Sequence, residues 1–280
     1  MHTTARWNSA RTFVVVAGLA TALTGGAAAQ QRSLTDGDWC RDESRGRTSD
    51  DRQSVCEVRE YTVPAAGAAV TVDATPNGGI TVQGSARRDI LVRAKVVATA
   101  ATEEEARALA GRVQVIATAD HVSADGPGGT GRSQSWSVSY RLAVPTQTPL
   151  ALKSTNGGIS IDNLNSRIEF RTVNGGVNLS HIGGDVEGRT SNGGITIDLD
   201  GSTWRGAGLD VETTNGGVQV AIPERYSAHL ETGTTNGSMR IDFPVTVQGT
   251  IGRSFSTDIG GGGPTLRVKT SNGGVKITKK

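Results

Sequence analysis

The residues of this protein best placed to do chemistry are three aspartates. Asp162, Asp198 and Asp242 each stand six residues after an asparagine of a recurring word, so a periodic fold would set them on one face. Clustered carboxylates are what polysaccharide hydrolysis and hard-cation binding require. The pattern stops short of either. No His, Lys or Arg recurs beside the three acids, and their spacing fits no calcium loop. His121, His181 and His229 are scattered singly, which suits surface or packed residues better than metal ligands. Gly126-Pro127-Gly128-Gly129-Thr130-Gly131 lacks the Lys-Ser/Thr that completes a phosphate loop, and it reads as a turn. The expectation is a protein that is not an enzyme, with no catalytic, cofactor-binding or metal-binding residues. A polysaccharide-active β-helical enzyme is the alternative.

The elements that would position these residues follow from the word itself. Asn-Gly-Gly-aliphatic-x-aliphatic begins at Asn77, Asn156, Asn174, Asn192, Asn215 and Asn272, with an Asn-Gly-Ser variant at Asn236. The intervals are 79, 18, 18, 23, 21 and 36 residues, and the last equals two units of 18, as if one copy had lost its signature. The seven words hold 13 of the protein's 38 glycines, so the Gly excess marks recurring turns. After each Asn the aliphatic residues alternate with polar ones, which is the period of a half-buried strand. Thr or Ser stands two residues before each Asn, and in most copies an aliphatic stands six before it, as at Leu150, Ile168, Val186 and Leu209. The first copy fits worst, because Val70, Val72 and Ala74 fall on the opposite parity. Asn-Gly is favoured where two successive residues need positive φ. Units of 18 residues cannot bury their own apolar face, so they must stack on neighbours. The fold class expected is all-β: a repeat β-solenoid, with an antiparallel β-meander or sandwich as the alternative.

Such a solenoid would align the polar residues between the alternating aliphatics, namely Ser160, Asn178, Thr196, Gln219, Arg240 and Lys276. They are the candidate binding face, and otherwise simply solvated strand residues. Trp136, Trp204, Tyr140 and Tyr226 are too widely spaced for a sugar-stacking platform. The strand after Val275 reads as a sheet edge through which copies could associate, with Lys279-Lys280 guarding it.

Other features concern the compartment. Arg6 and Arg11 precede an apolar stretch from Thr12 to Leu23, and Ala27-Ala28-Ala29 gives a small-residue cleavage pattern, so residues 1–29 read as a secretory signal peptide. Without them the 29 basic residues fall to 27, equal to the acids, and the electrostatic case for nucleic acid disappears. Cys40 and Cys56, the only cysteines, are expected to pair in an oxidising compartment. Thr102-Glu103-Glu104-Glu105 is a capping-box pattern that opens one short helix over 102–112. Ser135 to Val144 alternates as a strand. The expected division is 1–29 signal peptide, 30–62 disulfide-containing segment, 63–150 β-rich module with the helix, and 151–280 repeat solenoid. Phe243 to Pro264 reads as a degenerate coil or loop.

Together, the Thr-x-Asn-Gly-Gly-aliphatic word, Cys56-Glu57-Val58-Arg59-Glu60, Trp204-x-Gly206-x-Gly208-Leu209 and Ile222-Pro223 resemble a bacterial exported family. That family is catalogued as candidate adhesins and as domain of unknown function 4097. The resemblance covers roughly Val63 to Lys280. It implies a β-solenoid-like domain in an envelope, periplasmic or cell-surface setting, binding or scaffolding through the repeat, with the ligand unnamed and no catalytic residues to carry over. A structural, self-assembling envelope protein is the second reading.

Overall fold

The computed structural model describes residues 32–34, 39–40, 52–128, 134–242 and 253–280. The expected signal peptide lies outside them. Strands are numbered β1 to β21 in sequence order, and they form two sheets. Sheet one runs in the order β1 (Arg32–Leu34), β2 (Gln53–Pro64), β5 (Asp89–Ala100), β8 (Ser135–Pro145), β4 (Ile80–Ser85), β10 (Ile159–Asp162), β12 (Val177–Ser180), β14 (Ile195–Asp198), β16 (Val218–Ile222), β21 (Val275–Lys279), β18 (Met239–Asp242). Sheet two runs β19 (Ser254–Ile259), β17 (Ala228–Asn236), β20 (Thr265–Asn272), β15 (Gly208–Asn215), β13 (Gly183–Asn192), β11 (Asn165–Asn174), β9 (Leu150–Lys153), β3 (Val70–Asp73), β7 (His121–Asp125), β6 (Gln114–Ala117). The single helix among the described residues, α1, spans Glu103–Arg112.

From β3 and β4 onward, each coil is one strand of sheet two, an Asn-Gly-Gly corner and one strand of sheet one. Neighbouring coils pair in parallel with equal residues in register: Ile159 on Val177, Val177 on Ile195, and Thr172 on Thr190. This is a flattened β-solenoid, and the meander alternative is excluded. The inward residues of both sheets, such as Ile161, Ile168, Leu179, Val186 and Ile197, are at most 1% exposed and form one continuous apolar core. Bulk is shared between coils. The Phe170 ring lies where a Cβ on Gly188 would come within 2.0 Å of it, so the small residue makes room for the large one.

Two ladders hold the Asn-Gly-Gly corner. The seven asparagines form a single file in which each amide Nδ2 donates to the Oδ1 of the next, at 2.8–2.9 Å, from Asn236 through Asn272, Asn215, Asn192, Asn174 and Asn156 to Asn77. All the donors point toward Asn77, an arrangement in which successive bonds polarise one another. Beside it, buried Thr172, Thr190, Thr213, Thr234 and Thr270 and Ser154 each donate a hydroxyl to the first-glycine carbonyl of the adjoining coil, at 2.7–2.9 Å.

The reason for glycine in the word differs from the sequence expectation. No residue of any Asn-Gly-Gly word has positive φ. Instead, a Cβ on the first glycine would sit 2.1 Å from a carbonyl oxygen of the coil beneath, as at Gly175 over Gly157. Close backbone stacking selects glycine here, not turn handedness. Left-handed residues occur at the opposite corner, where Asn163 and His181 have φ of 56° and 51°.

The uneven intervals now have physical causes. The interval of 79 contains β5, α1 and β6 to β8. The intervals of 23 and 21 contain longer corners, plugged by buried Trp204 and Tyr226. Trp204 also donates its indole N–H to the Gly184 carbonyl at 2.9 Å. The interval of 36 hides no lost copy. There β19 pairs antiparallel with β17, and the backbone then returns to insert β20 and β21 between the Asn215 and Asn236 coils. The strand after Val275 is therefore interior, between β16 and β18, and not the edge the sequence suggests. Lys279 and Lys280 form ion pairs with Glu224 and Asp198. In the first coil, Val70 and Val72 pair with Leu150 and Leu152, so the parity mismatch is absorbed by one additional residue before Asn77.

At the Asn77 end, antiparallel β2, β5 and β8 extend sheet one, and α1 packs on β2 and β5. Thr102 and Glu105 complete the capping box. The other end of α1 is held by Arg59, 9% exposed, whose guanidinium donates to the Ala110 and Val113 carbonyls. This satisfies backbone acceptors that a helix terminus leaves open. A disulfide joins Cys40 to Cys56 on β2.

Candidate functional site

The register brings the six candidate face residues into one file on the outer side of sheet one. Its order is Thr81, Ser160, Asn178, Thr196, Gln219, Lys276, Arg240. All are exposed except half-buried Ser160. Adjacent strands set them roughly 4.8 Å apart. The file is neutral at the Thr81 end and carries Lys276 and Arg240 at the other.

The three aspartates share that face, two residues further along each strand, in the file Gln83, Asp162, Ser180, Asp198, Ala221, Thr278, Asp242. The fold supplies Asp162 and Asp198 with basic partners from distant sequence, and Asp242 pairs with Arg240 two residues before it on the same strand. Asp162 accepts from His181 Nδ1 at 2.7 Å, Asp198 pairs with Lys280, and Asp242 accepts from Arg240 Nε at 2.9 Å. Burial alone would raise the Asp162 pKa, but hydrogen bonds from His181 and Gln83 outweigh it and hold the carboxyl below the usual value of 3.8. A general acid needs the opposite shift.

His181 is pushed above its usual 6.5, first by the hydrogen bond to Asp162 and further by the charges of Asp162, Asp200 and Asp198. The raised His181 pKa contributes stability that is full below its unfolded value and fades as pH rises through the folded one. The lowered Asp162 pKa contributes stability that is present above its unfolded value and fades as pH falls through the folded one. The pair therefore supports the corner mainly in mildly acidic solution, and weakly, because both side chains meet solvent. In an NMR titration His181 should show a midpoint above 6.5, and Asp162→Asn should bring it down. An unchanged midpoint in the variant would count against the pairing.

Two arrangements escaped sequence reasoning because their members are far apart in the sequence. On β17 and β19, His229 Nδ1 lies 2.6 Å from Asp258 Oδ1, and its Nε2 lies 3.1 Å from Ser256 Oγ. The order of groups is that of a serine hydrolase. Here, however, Ser256 and Asp258 are exposed on the sheet face, so among the described residues the arrangement is a surface hydrogen-bond network. The second is a charge lattice on the outer side of sheet two. Lys153, Arg171 and Arg189 stack in one file, and Glu169, Glu187 and Asp210 in the next, beside an open depression of about 430 Å³. Arg267 bridges Asp210 and Glu231 at 3.5 and 2.8 Å. Among the described residues, no three His, Cys, Asp or Glu side chains group as a metal site, and no helix is long and apolar enough to cross a membrane.

A two-sheet parallel solenoid with Thr and Asn ladders at one corner and an open polar face defines the class of protein. The Toastrack DUF4097 family matches residues 131–278, and the protein belongs to that family. Among solved structures, it is similar to a candidate cell adhesion protein from Clostridium sporogenes ATCC 15579, at 14% identity and a TM-score of 0.44, covering 82% of this protein and 100% of that one. It is also similar to a candidate adhesin from Bacteroides fragilis NCTC 9343, at 13% identity and a TM-score of 0.33, covering 81% and 97% of the two. A candidate adhesin from Parabacteroides merdae ATCC 43184 is 12% identical with a TM-score of 0.31, covering 80% and 96%. No curated protein matches the sequence.

Proposed function

We propose that this is an exported, non-catalytic envelope or surface protein that binds a glycan or protein ligand through the outer face of sheet one. The observation that carries this reading is the uninterrupted polar file from Thr81 to Arg240. Parallel in-register pairing repeats hydrogen-bonding side chains at strand spacing over seven coils, a geometry suited to an extended ligand with its own repeat. The Cys40–Cys56 disulfide supports an oxidising compartment. The leader-like composition of residues 1–29 supports export. Asp162, Asp198 and Asp242, each already engaged by a base, are surface ion pairs in this reading.

The test is binding of the protein lacking residues 1–29 to a glycan array and to purified envelope fractions. Replacing Ser160, Thr196 and Arg240 together by Ala should reduce binding at least about tenfold, the loss expected from removing a few hydrogen bonds worth about 1 kcal/mol each. Arg171→Ala on the opposite sheet should leave binding unchanged. Equal binding by the triple variant, or loss only with Arg171→Ala, would move the site away from sheet one. Turnover of a polysaccharide that vanishes with Asp198→Ala would replace binding by catalysis.

A further inference from the structure

Each of the seven repeat words holds an Asn-Gly pair, the dipeptide whose glycine nitrogen attacks the asparagine amide most readily. The stack shields them unequally. In five words the glycine N–H is held by the Asn carbonyl of the adjoining coil: Gly78 by Asn156 at 3.3 Å, Gly175 by Asn192 at 3.1 Å, and Gly193, Gly216 and Gly273 by Asn215, Asn272 and Asn236 at 3.0 Å. In the sixth, the amide group of Asn156 is pinned on both sides. Its Nδ2 donates to Pro76 O at 3.1 Å and Asn77 Oδ1 at 2.9 Å, and its Oδ1 accepts from Asn174 at 2.8 Å. The seventh, Asn236-Gly237, lies in the coil that ends both ladders. Among the described residues no strand lies beyond its β18 in sheet one, and both residues are exposed. Among the described residues, neither the Gly237 N–H nor Asn236 Oδ1 has a hydrogen-bond partner.

We propose that Asn236 is the site at which this protein undergoes spontaneous deamidation. The Gly237 nitrogen attacks Cγ of Asn236 and a new N–Cγ bond forms. The Cγ–Nδ2 bond breaks, and ammonia leaves carrying the glycine amide proton. Water then opens the cyclic imide at either carbonyl, giving aspartate or isoaspartate. The change strikes the polar ladder at its sensitive end. Position 236 serves as donor, through Nδ2 to Asn272 Oδ1 at 2.9 Å. A carboxylate has no hydrogen to give, so two oxygens would face each other and the last coil would loosen. The same conversion at Asn77, which only accepts in the ladder, would leave its bond in place.

The folded protein, aged at mildly alkaline pH and mapped by peptide mass spectrometry, should gain aspartate and isoaspartate at Asn236 about tenfold or more faster than at any interior word, because the held glycine amides, and the pinned side chain of Asn156, must first be released by local opening. A sample aged in denaturant should deamidate at all seven words at comparable rates. Equal rates in the folded protein, or an interior word leading, would overturn the proposal. Asn236→Asp should speed hydrogen exchange of the β18 amides while β12 and β14 keep their protection. Unaltered exchange at β18 would refute the loosening.

Discussion

Gly175→Ala unfolds or severely weakens the protein, while Gly176→Ala, one residue on, is tolerated. The first glycine of the word has a neighbouring carbonyl oxygen 2.1 Å from where its Cβ would lie, and the second has 3.5 Å. The former distance is below any real contact, and the obstacle is backbone from the adjoining coil, which cannot rotate away. Admitting the methyl means parting two coils. That strains the Thr172 hydroxyl bond to Gly157 and the Asn174 amide bond to Asn156. We expect a loss of roughly 3 kcal/mol or more, at the upper end of overpacking costs. That corresponds to a fall in Tm of about 10 °C for a protein of this size. Gly176→Ala should stay within about 1 kcal/mol, since ordinary contact needs no rearrangement. The protein already carries this second experiment, because Ser238 occupies the second-glycine position of the Asn236 word. Thermal unfolding of the two variants decides it, and equal melting temperatures would remove close stacking as the reason for glycine.

A protein stopped after Gly263 should lose its cooperative transition altogether. In a solenoid whose coils stack in sequence order, losing a final coil trims one end and leaves the rest standing. Here residues 264–280 supply β20 and β21, which lie between coils on both sides. Their loss removes buried Leu266, Val268, Val275 and Ile277. At roughly 1.5–3 kcal/mol for each buried residue, that is about 6–12 kcal/mol of gross burial. It is comparable to the whole net stability of a domain, about 5–15 kcal/mol. The cut also strands β17 and β18 apart from β15 and β16, leaving raw edges on each that invite aggregation. Circular dichroism and size-exclusion chromatography should show a disordered or aggregated product. A monomer with a single sharp transition would mean that the β17–β19 region can close directly onto β15.

How much of this was legible beforehand depended on what a residue's neighbours in sequence can say. The alternation after each Asn was enough to place Ser160, Thr196 and Lys276 on one outward file, because a half-buried strand has only two faces. The parallel register followed from equal residues at equal positions. The order of coils did not. The Asn236 and Asn272 words are nearly interchangeable, and what separates them in space is the antiparallel pairing of β19 with β17, whose strand carries no word. The partners of Asp162 and Asp198, His181 and Lys280, were invisible for a related reason: they come from another coil, 19 and 82 residues away. The glycine requirement is legible in the word but points to φ, because dihedral preference can be read from a dipeptide and the approach of another coil cannot.

The inserted coil also orders events in time. Ala228–Asp242 leaves the ribosome before Thr265–Lys279, yet its place in the stack is on the far side of it. When Ala228–Asp242 emerges, the neighbour it needs does not exist. What can form at once is the local pairing of β17 with β19, close in sequence and antiparallel. That strand pair can take its final place only once the following segment pairs with β15 on one side and β17 on the other. That pairing is a late, non-local step, slower than the addition of the plain 18-residue coils before it. A polypeptide that crosses a membrane unfolded would arrive with this step still ahead of it, and the stack would be sealed at its penultimate coil, not at its last.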